Sequence, residues 1–266
     1  MTQTTEDPGY LVLKQERQRH LLEILEREGR VLSSELSVRW GLSEDTIRRD
    51  LREMEQGGMI QRVHGGALPR SPGALPYDAR RRLDVASKSA IARRAAELIS
   101  EGQTVFIDGG TTTVEIASHL LRDRRATIIT NSPPLALALA DHSKLDVLLL
   151  GGSLLKDARV TVGADTVREI ASIRADLCLL GMCSLHPDIG ITVGSVEEAC
   201  VKRAMIATSA EVVGLISQAK MGTILPYVVG PASALTQLIT DVSDEVGLEP
   251  YRSRGISITA LTPTTS

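Results

Sequence analysis

The chain of 266 residues is 42% hydrophobic and 24% charged, which is enough apolar material for a small domain and a larger one with its own core. Its net charge of −3 at pH 7 gives no overall positive field, so any attraction to nucleic acid must come from a local basic surface. Aromatic residues make up only 2%, which disfavours recognition of RNA or single strands by base stacking.

Apolar runs, cysteines and histidines indicate a cytoplasmic protein without a metal. There is no run of about 18 apolar residues and no N-terminal apolar segment, so we expect neither a membrane span nor a signal peptide. Cys178, Cys183 and Cys200 lack CxxC spacing, which favours reduced thiols in the core. The five histidines are scattered, with no pair at i and i+4, so we expect no metal and no cofactor.

Three short helices are predicted near the N-terminus. The first covers residues 17–28, the second covers residues 34–40, and each has an apolar face. Gly41 follows at a position where a helix-turn-helix needs a residue that tolerates positive φ. The third helix begins at Ser43, whose hydroxyl can accept a hydrogen bond from the backbone N–H of Thr46.

The third helix has one apolar and one charged face. At 100° per residue, Ile47, Leu51 and Met54 form a stripe that should pack inward. The opposite side carries Asp45, Arg48, Arg49 and Arg52. Charged residues on a helix are usually no more than a solvated surface, so this face alone does not establish DNA binding.

A predicted hairpin follows the third helix. Residues 59–63 alternate apolar and polar side chains and include Arg62, and His64-Gly65-Gly66 then supplies a turn that can form a wing tip. A merely solvated helix does not need this hairpin. Residues 14–68 therefore predict a winged helix-turn-helix domain that binds double-stranded DNA.

Proline and glycine predict a linker over residues 69–87. It contains three consecutive arginines, Arg80, Arg81 and Arg82. These arginines either contact DNA phosphates or form a solvated hinge.

Residues 88–262 predict an α/β domain. Short β-branched runs alternate with helical patterns, which is typical of a mostly parallel sheet. The expected strands cover residues 104–107, 126–130, 145–150, 176–180, 211–216, 238–240 and 256–260. In such sheets ligands bind outside the carboxyl ends of the strands.

Glycines and hydroxyl side chains follow the first three of these strands. The first is followed by Asp108-Gly109-Gly110-Thr111-Thr112-Thr113, where backbone and hydroxyl donors at a helix start suit an anion such as phosphate. Thr130-Asn131-Ser132 and then Gly151-Gly152 follow the next two. Each cluster alone is weak evidence, because turns after strands need such residues anyway, but three in succession favour a ligand site.

The segment TIRRDLREMEQGGMIQRVHGGA closely resembles the winged helix-turn-helix signature of the DeoR family of bacterial transcriptional regulators. The segments SKSAIARRAAELI, FIDGGTTT, IITNSPPLA, LLGG, LLGMCSLHPDIGIT, EEACVKRAMI and LITD resemble the effector-sensing domain of that family. The resemblance implies an α/β domain of the ribose-5-phosphate isomerase-like type. It also implies that a phosphorylated sugar or related metabolite binds at the strand ends.

The same resemblance implies which residues contact each partner. On the reading helix and the wing, the DNA-contacting positions are Ser43, Asp45, Thr46, Arg48, Arg49, Arg62 and His64, to which the charged face adds Arg52. The effector-binding positions are Lys88, Asp108, Gly110, Thr111, Thr112, Thr130, Asn131, Gly152, Thr192, Glu198, Lys202 and Lys220.

These effector positions divide by chemistry. Thr111 and Thr112 would hold the phosphate, while the carboxylates and the amide would take sugar hydroxyls and the three lysines would neutralise the dianion. Lys202 and Glu198 are also spaced i and i−4, so that pair has an alternative interpretation as helix-surface support.

Two positions depart from the family pattern. Relatives usually carry an aspartate and a serine shortly before the lysine that is Lys220 here, and this chain has no such carboxylate, with Ser217 in that segment. Ser87 stands where many relatives have glutamate. The identity of the effector therefore cannot be transferred from any relative.

We expect a transcriptional repressor of a carbohydrate catabolic operon, not an enzyme, working as a dimer or tetramer whose reading helices shift when the effector binds. The alternative is a sugar-phosphate isomerase or deaminase domain on a DNA-binding module, for which Asp108 and Glu198 are the candidate acid and base. An architectural DNA-binding protein with an inert oligomerisation domain is disfavoured by the polar strand ends. The sequence leaves open the operator, the effector and whether the effector releases or promotes DNA binding.

Overall fold

The computed structural model describes residues 13–57 and 59–261, without the side chains of residues 26 and 27. The chain divides into two compact units between Arg70 and Ser71. None of the helices in the described part is long and apolar enough to cross a membrane.

The first unit is a winged helix-turn-helix. Its helices are α1 (Lys14–Glu28), α2 (Ser33–Trp40) and α3 (Glu44–Gln56), and its strands are β1 (Val31–Leu32), β2 (Ile60–Val63) and β3 (Gly66–Pro69). The strands form an antiparallel sheet in the order β1-β3-β2. The prediction of three helices and a hairpin is confirmed. Strand β1 was missed, because two residues are too short to show a periodicity.

Helix α3 is fixed in the first unit by apolar packing and by one ion pair. Ile47, Leu51 and Met54 are buried in the core between the three helices. Arg17 on α1 donates two hydrogen bonds to Asp50 on α3, from Nε at 2.7 Å and from an Nη at 3.0 Å, and both side chains are buried. The helix therefore buries the predicted apolar stripe and also the Arg17–Asp50 ion pair, which the sequence pattern did not predict.

The second unit contains twelve described strands and seven described helices. The strands are β4 (Thr104–Ile107), β5 (Ala126–Thr130), β6 (Leu145–Leu149), β7 (Ser153–Leu155), β8 (Val160–Val162), β9 (Ala175–Gly181), β10 (Ser184–His186), β11 (Gly190–Val193), β12 (Ser209–Ile216), β13 (Tyr227–Gly230), β14 (Gln237–Thr240) and β15 (Ser257–Ala260). The helices are α4 (Tyr77–Arg81), α5 (Val85–Ala96), α6 (Ile116–His119), α7 (Pro133–Leu139), α8 (Ala164–Ala171), α9 (Val196–Ala207) and α10 (Glu245–Arg252).

Seven of these strands form one sheet in the order β15-β14-β12-β9-β4-β5-β6. Every neighbouring pair is parallel, and the seven strands are the seven that the sequence predicts. Alternate residues of the central strands enter two separate apolar cores, so that Phe106 packs in one and Val105 and Ile107 in the other. Because the strands are parallel, their carboxyl ends meet at one edge of the sheet.

Two small antiparallel sheets, β10-β11-β13 and β7-β8, are separate from the main sheet. The sequence did not predict their five strands. Each has only three or four residues, so hydrophobic alternation has too little length to be detected.

The segment predicted as a linker is partly ordered within the second unit. It contains a 3-10 turn, Pro72–Ala74, and helix α4, and Ser71, Tyr77 and Arg80 are buried. Proline and glycine marked it as a linker, but contacts with residues far along the chain, which local composition cannot report, hold it on the second unit.

Candidate functional site

The N-terminus of α3 is capped as the sequence predicts. Ser43 accepts a hydrogen bond at 3.2 Å from the backbone N–H of Thr46, and the two hydroxyl groups are 2.9 Å apart. Asp45 in the first turn is exposed, with 93% of its side chain open to solvent. The start of α3 therefore presents two hydroxyls and a carboxylate to solvent beside unpaired backbone N–H groups.

Three exposed arginines line the outer face of α3. Arg48 forms an ion pair with Glu44 one turn earlier, with Nη2 2.5 Å from a carboxylate oxygen. Within the described residues, no carboxylate lies within 4 Å of Arg49 or Arg52. This face can therefore donate several hydrogen bonds to an acidic partner.

The wing is the hairpin of β2 and β3. Arg62 on β2 receives support from Glu55 on α3, which accepts a hydrogen bond from the Arg62 backbone N–H at 3.1 Å and lies 3.6 Å from its guanidinium. His64 at the tip is exposed, and Gly65 has a φ of 81°. Each predicted DNA-contacting residue is at least partly exposed, on α3, its cap or the wing.

At the carboxyl ends of the main sheet, five charged residues form what we call the strand-end cluster. Its members are Lys88, Asp108, Glu198, Lys202 and Lys220. They come from α5, the loop after β4, α9 and the turn after β12. All five were predicted as effector-binding positions.

An ion pair forms the centre of the strand-end cluster. The Nζ of Lys202 donates to a carboxylate oxygen of Asp108 and, at 2.8 Å, to the carbonyl oxygen of Gly181, and lies 3.7 Å from Glu198. Burial lowers the pKa of Lys202, but the carboxylates of Asp108 and Glu198 outweigh it and raise the pKa above its ordinary value. Lys202 is therefore a cation at neutral pH, and its pairing with Glu198 is buried instead of being helix-surface support.

Lys220 and Lys88 are buried, and no carboxylate in the described part of the chain is hydrogen-bonded to either. Lys220 donates to the carbonyl oxygen of Met182 at 3.0 Å, and Lys88 donates to the carbonyl oxygens of Arg80 and Leu83. Burial is the main reason that the pKa of Lys220 falls to about 8, and repulsion from nearby cations contributes. Burial likewise lowers the pKa of Lys88. An anion bound between them would relieve this cost.

Buried polar atoms without a partner also occur after strands β4, β5 and β12 and near the start of α5. Within the described part of the chain, no hydrogen bond reaches the hydroxyl groups of Ser87, Thr111 and Ser217 or the Oδ1 of Asn131. Because buried polar groups in proteins are nearly always hydrogen-bonded, four such atoms point to a polar ligand. Thr112 is buried beside Thr111, and Gly110 has a φ of 155° that favours glycine.

Three predicted effector positions have structural contacts instead. The hydroxyl of Thr130 accepts a hydrogen bond from Ser132, and that of Thr192 accepts one from the backbone of Leu225. At Gly152 a Cβ would lie 2.2 Å from the hydroxyl of Thr166, so packing against α8 explains this glycine. Among the described contacts, none joins these three residues to the strand-end cluster.

Sequence reasoning missed two residues beside the strand-end cluster. Arg80, one of the three linker arginines, is 7% exposed and close enough to Lys88 and Lys220 to lower their pKa values. Cys183 is buried, and its thiol lies 3.5 Å from Glu198. The local sequence, a proline-containing segment with three consecutive arginines, gives no signal that Arg80 is buried.

Family models and known relatives agree on what the chain resembles. A model of the DeoR-like helix-turn-helix domain matches residues 17–72, and a model of the DeoR C-terminal sensor domain matches residues 83–242. The HTH-type transcriptional regulator GlpR of Haloferax volcanii is 36% identical over 251 residues, which cover 93% of this chain and 98% of that protein. The glycerol-3-phosphate regulon repressor of Escherichia coli strain K12 is 32% identical over 234 residues, covering 87% and 93%.

Among solved structures, the chain is similar to ribose 5-phosphate isomerase A from Neisseria gonorrhoeae, with a TM-score of 0.37 and 15% identity over 50% of this chain and 52% of that one. The two family models and the full-length relatives identify the molecule more directly. This chain belongs to the DeoR family of transcriptional regulators.

Proposed function

We propose that this chain represses a carbohydrate catabolic operon and that a phosphorylated sugar or related phosphorylated metabolite, bound at the strand-end cluster, controls its affinity for the operator. The observation that carries the effector assignment is the excess of buried cations at the carboxyl ends of parallel strands. One relative is named a repressor of the glycerol-3-phosphate regulon, which supports this class of effector.

Helix α3 is the proposed reading helix. The exposed guanidinium groups of Arg48, Arg49 and Arg52 support contact with guanine edges or phosphates, because arginine donates two parallel hydrogen bonds to either. Arg48 would exchange its ion pair with Glu44 for DNA. The hydroxyl groups at the helix start, on Ser43 and Thr46, suit phosphate oxygens.

The wing is proposed to lie against the DNA backbone. Arg62 keeps a partly exposed guanidinium although Glu55 accepts its backbone hydrogen bond, and His64 lies at the exposed tip. Asp45 would accept from a base amino group, since phosphates repel it.

The strand-end cluster is proposed to bind the effector through its phosphate. Lys88 and Lys220 are buried cations that a phosphate dianion would neutralise, and the free hydroxyl of Thr111 can donate to it. The Oδ1 of Asn131 can accept from a sugar hydroxyl. Asp108 and Lys202 form an ion pair and so fix the shape of this site.

The same geometry argues against catalysis. The ion pair with Lys202 favours the charged form of Asp108 and so opposes transfer of a substrate proton to it, although burial raises the pKa of Asp108. Glu198 is also held near that lysine. We therefore propose that the protein senses a phosphosugar without transforming it. It would act in the cytoplasm as a homo-oligomer, because two linked half-site contacts strengthen operator binding.

Operator binding tests the assignment of α3. The probe is a labelled DNA duplex from the region upstream of the gene. It is titrated with wild-type protein and with the double variant Arg48→Ala/Arg49→Ala. Each base contact is worth about 1–3 kcal/mol, so losing two should lower operator affinity by about 30-fold or more. The control is Arg168→Ala on α8, which removes an exposed arginine from the second unit. Unchanged affinity in the double variant would refute the assignment.

Thermal stabilisation tests the effector site. Purified protein is heated with glycerol 3-phosphate, ribose 5-phosphate, glucose 6-phosphate or each unphosphorylated counterpart. A compound at 100 times its dissociation constant adds about 2.7 kcal/mol of stability, so a phosphosugar should raise the melting temperature without being consumed. Turnover of any phosphosugar would instead establish an enzyme. Equal shifts with unphosphorylated sugars would contradict a site built around phosphate.

A further inference from the structure

The segment that follows the first unit in the chain forms part of the wall around the strand-end cluster. The hydroxyl of Ser71 donates to the carbonyl oxygen of Cys183 at 2.6 Å. At Gly73 a Cβ would lie 2.1 Å from that same oxygen, so the segment passes too close for any side chain. The backbone N–H of Tyr77 donates to the carbonyl oxygen of Asp157 at 2.8 Å. Residues 71–83, which we call the connecting segment, are thus fixed to the second unit at several points.

The connecting segment carries a buried arginine. Arg80 on α4 is 7% exposed, and its Nε has no hydrogen-bond partner within the described residues. Its own carbonyl oxygen accepts a hydrogen bond from Lys88, so backbone and side chain both lie beside the strand-end cluster. A buried guanidinium normally pairs with a carboxylate, because an unpaired buried charge is strongly unfavourable.

The charges around Arg80 make an anion the missing partner. Among the residues that the structure describes, four buried cations lie here against one fully buried carboxylate, that of Asp108, which leaves a charge of 4 − 1 = +3. The cations are Arg80, Lys88, Lys202 and Lys220. Glu198, with 12% of its side chain exposed, reduces this charge to +2. Asp84 is exposed and Glu115 partly exposed, so water screens their attraction for Lys88. A phosphate monoester carries a charge of about −1.5 to −2 at pH 7 and matches this excess.

Uncharged hydroxyl groups lie next to two of these lysines in the chain, since Ser87 precedes Lys88 and Ser217 accepts a backbone hydrogen bond from Lys220. Ser87 and Ser217 are buried or partly buried, and the hydroxyl of each lacks a partner within the described part of the chain. Neither can neutralise a neighbouring cation. The guanidinium fork fits two oxygens of a phosphate at once, which an ammonium group cannot do.

We propose that Arg80 binds the phosphate of the effector together with Lys88 and Lys220, so that effector occupancy holds the connecting segment against the strand ends. This inference rests on the proposed function. It adds Arg80 to the effector site and names the connecting segment as the link between effector binding and the DNA-binding unit. Arg80 lies outside both family models, which match residues 17–72 and 83–242. The connecting segment begins directly after Arg70, so fixing or releasing it acts on the chain that leaves the DNA-binding unit.

The variant Arg80→Gln tests the proposal, with Arg81→Gln as the matched control. Arg81 is the next residue of α4 but is exposed. Binding of inorganic phosphate and of glycerol 3-phosphate is measured by calorimetry. We expect Arg80→Gln to weaken the binding of each about 10- to 100-fold, Arg80→Lys to restore part of the affinity, and Arg81→Gln to bind like wild type. Removing an unpaired buried charge should leave the melting temperature of Arg80→Gln unchanged or higher, so a folding defect is not expected.

Hydrogen exchange of the connecting segment provides the second readout. With glycerol 3-phosphate, the backbone amides of residues 71–83 should become more protected in wild type and in Arg81→Gln but not in Arg80→Gln. Wild-type affinity and wild-type protection in Arg80→Gln would overturn the proposal. So would a loss of operator affinity in Arg80→Gln with phosphate binding intact, which would make Arg80 a DNA contact.

The variant Lys220→Met separates this inference from the function beneath it. If Lys220→Met loses phosphate binding while Arg80→Gln keeps it, the strand-end cluster still binds the effector and only the role of Arg80 is refuted. If wild type binds neither inorganic phosphate nor glycerol 3-phosphate nor the other phosphosugars of the screen, the effector site and the role of Arg80 fall together.

Discussion

The variant Asp50→Ala should strongly destabilise the DNA-binding unit, although Asp50 is buried and is not a proposed DNA contact. It accepts both hydrogen bonds of a bidentate arginine pair, at 2.7 and 3.0 Å, and the side chains of Arg17 and Asp50 are only 10% and 3% exposed. Removing one partner of a buried pair costs about 3–5 kcal/mol. Glu53 also lies near Arg17 and, after the hydrogen bond to Asp50, helps to raise its pKa, so we expect the lower end of that range.

Because the first unit is small, this loss is a large part of its total free energy of unfolding. About 57 residues of the first unit are described, and at 0.05–0.15 kcal/mol per residue its total stability is roughly 3–9 kcal/mol. Calorimetry of Asp50→Ala should show a transition missing or moved to much lower temperature, while phosphate-induced stabilisation of the second unit persists. The double variant Arg17→Met/Asp50→Leu should recover most of the stability, because two apolar side chains replace the pair. A loss below 1 kcal/mol in Asp50→Ala would refute the claim that this pair fixes α3.

Three further outcomes follow from the same contacts. Lys220→Met should raise the unfolding free energy near pH 7 by about 2 kcal/mol. The variant removes the cost of burying a charged lysine, whose pKa falls to about 8 from 10.5 in the folded protein, and this gain exceeds the loss of one hydrogen bond. In wild type, stability should rise from pH 7 towards 9, since the unfolded lysine keeps its proton longer, and denaturant titrations of Lys220→Met should lack this rise. Gly66→Ala would place a Cβ 1.9 Å from a backbone oxygen of β1, so operator affinity should fall, whereas Gly194→Ala, with no atom within 4 Å, should have no effect. N-ethylmaleimide should label exposed Cys200 first, because burial raises the pKa of Cys183 to about 11, and equal labelling rates by mass spectrometry would contradict that burial.

The main sheet could be predicted from sequence because its strands are short, apolar and separated by helical patterns. Its central strands are covered on both faces, so runs such as Thr104–Ile107 are almost continuously hydrophobic. The start of α3 was also predictable, because Ser43 caps the helix through a contact three residues away. Local chemistry determines both features.

Contacts between residues far apart in the chain could not be predicted from the sequence. Asp108 and Lys202 are separated by 94 positions, and no periodicity relates them. Arg80 illustrates the same limit, because three consecutive arginines in a proline-containing segment are typical of a solvated hinge, and only the folded chain buries the first of them. The resemblance to a family located all five residues of the strand-end cluster, but it gave no sign that Thr192 accepts a hydrogen bond from the backbone of Leu225, a residue 33 positions away.

Operator affinity measured by fluorescence anisotropy, with and without the phosphosugar that gives the largest thermal shift, tests the central claim most directly. For wild type we expect saturating phosphosugar to change operator affinity about 5- to 150-fold, as a coupling of 1–3 kcal/mol requires. Lys220→Met should bind the operator with one affinity whether or not the phosphosugar is present. An operator affinity of wild type that does not respond to the bound phosphosugar, or a normal response in Lys220→Met, would contradict control of DNA binding from the strand-end cluster.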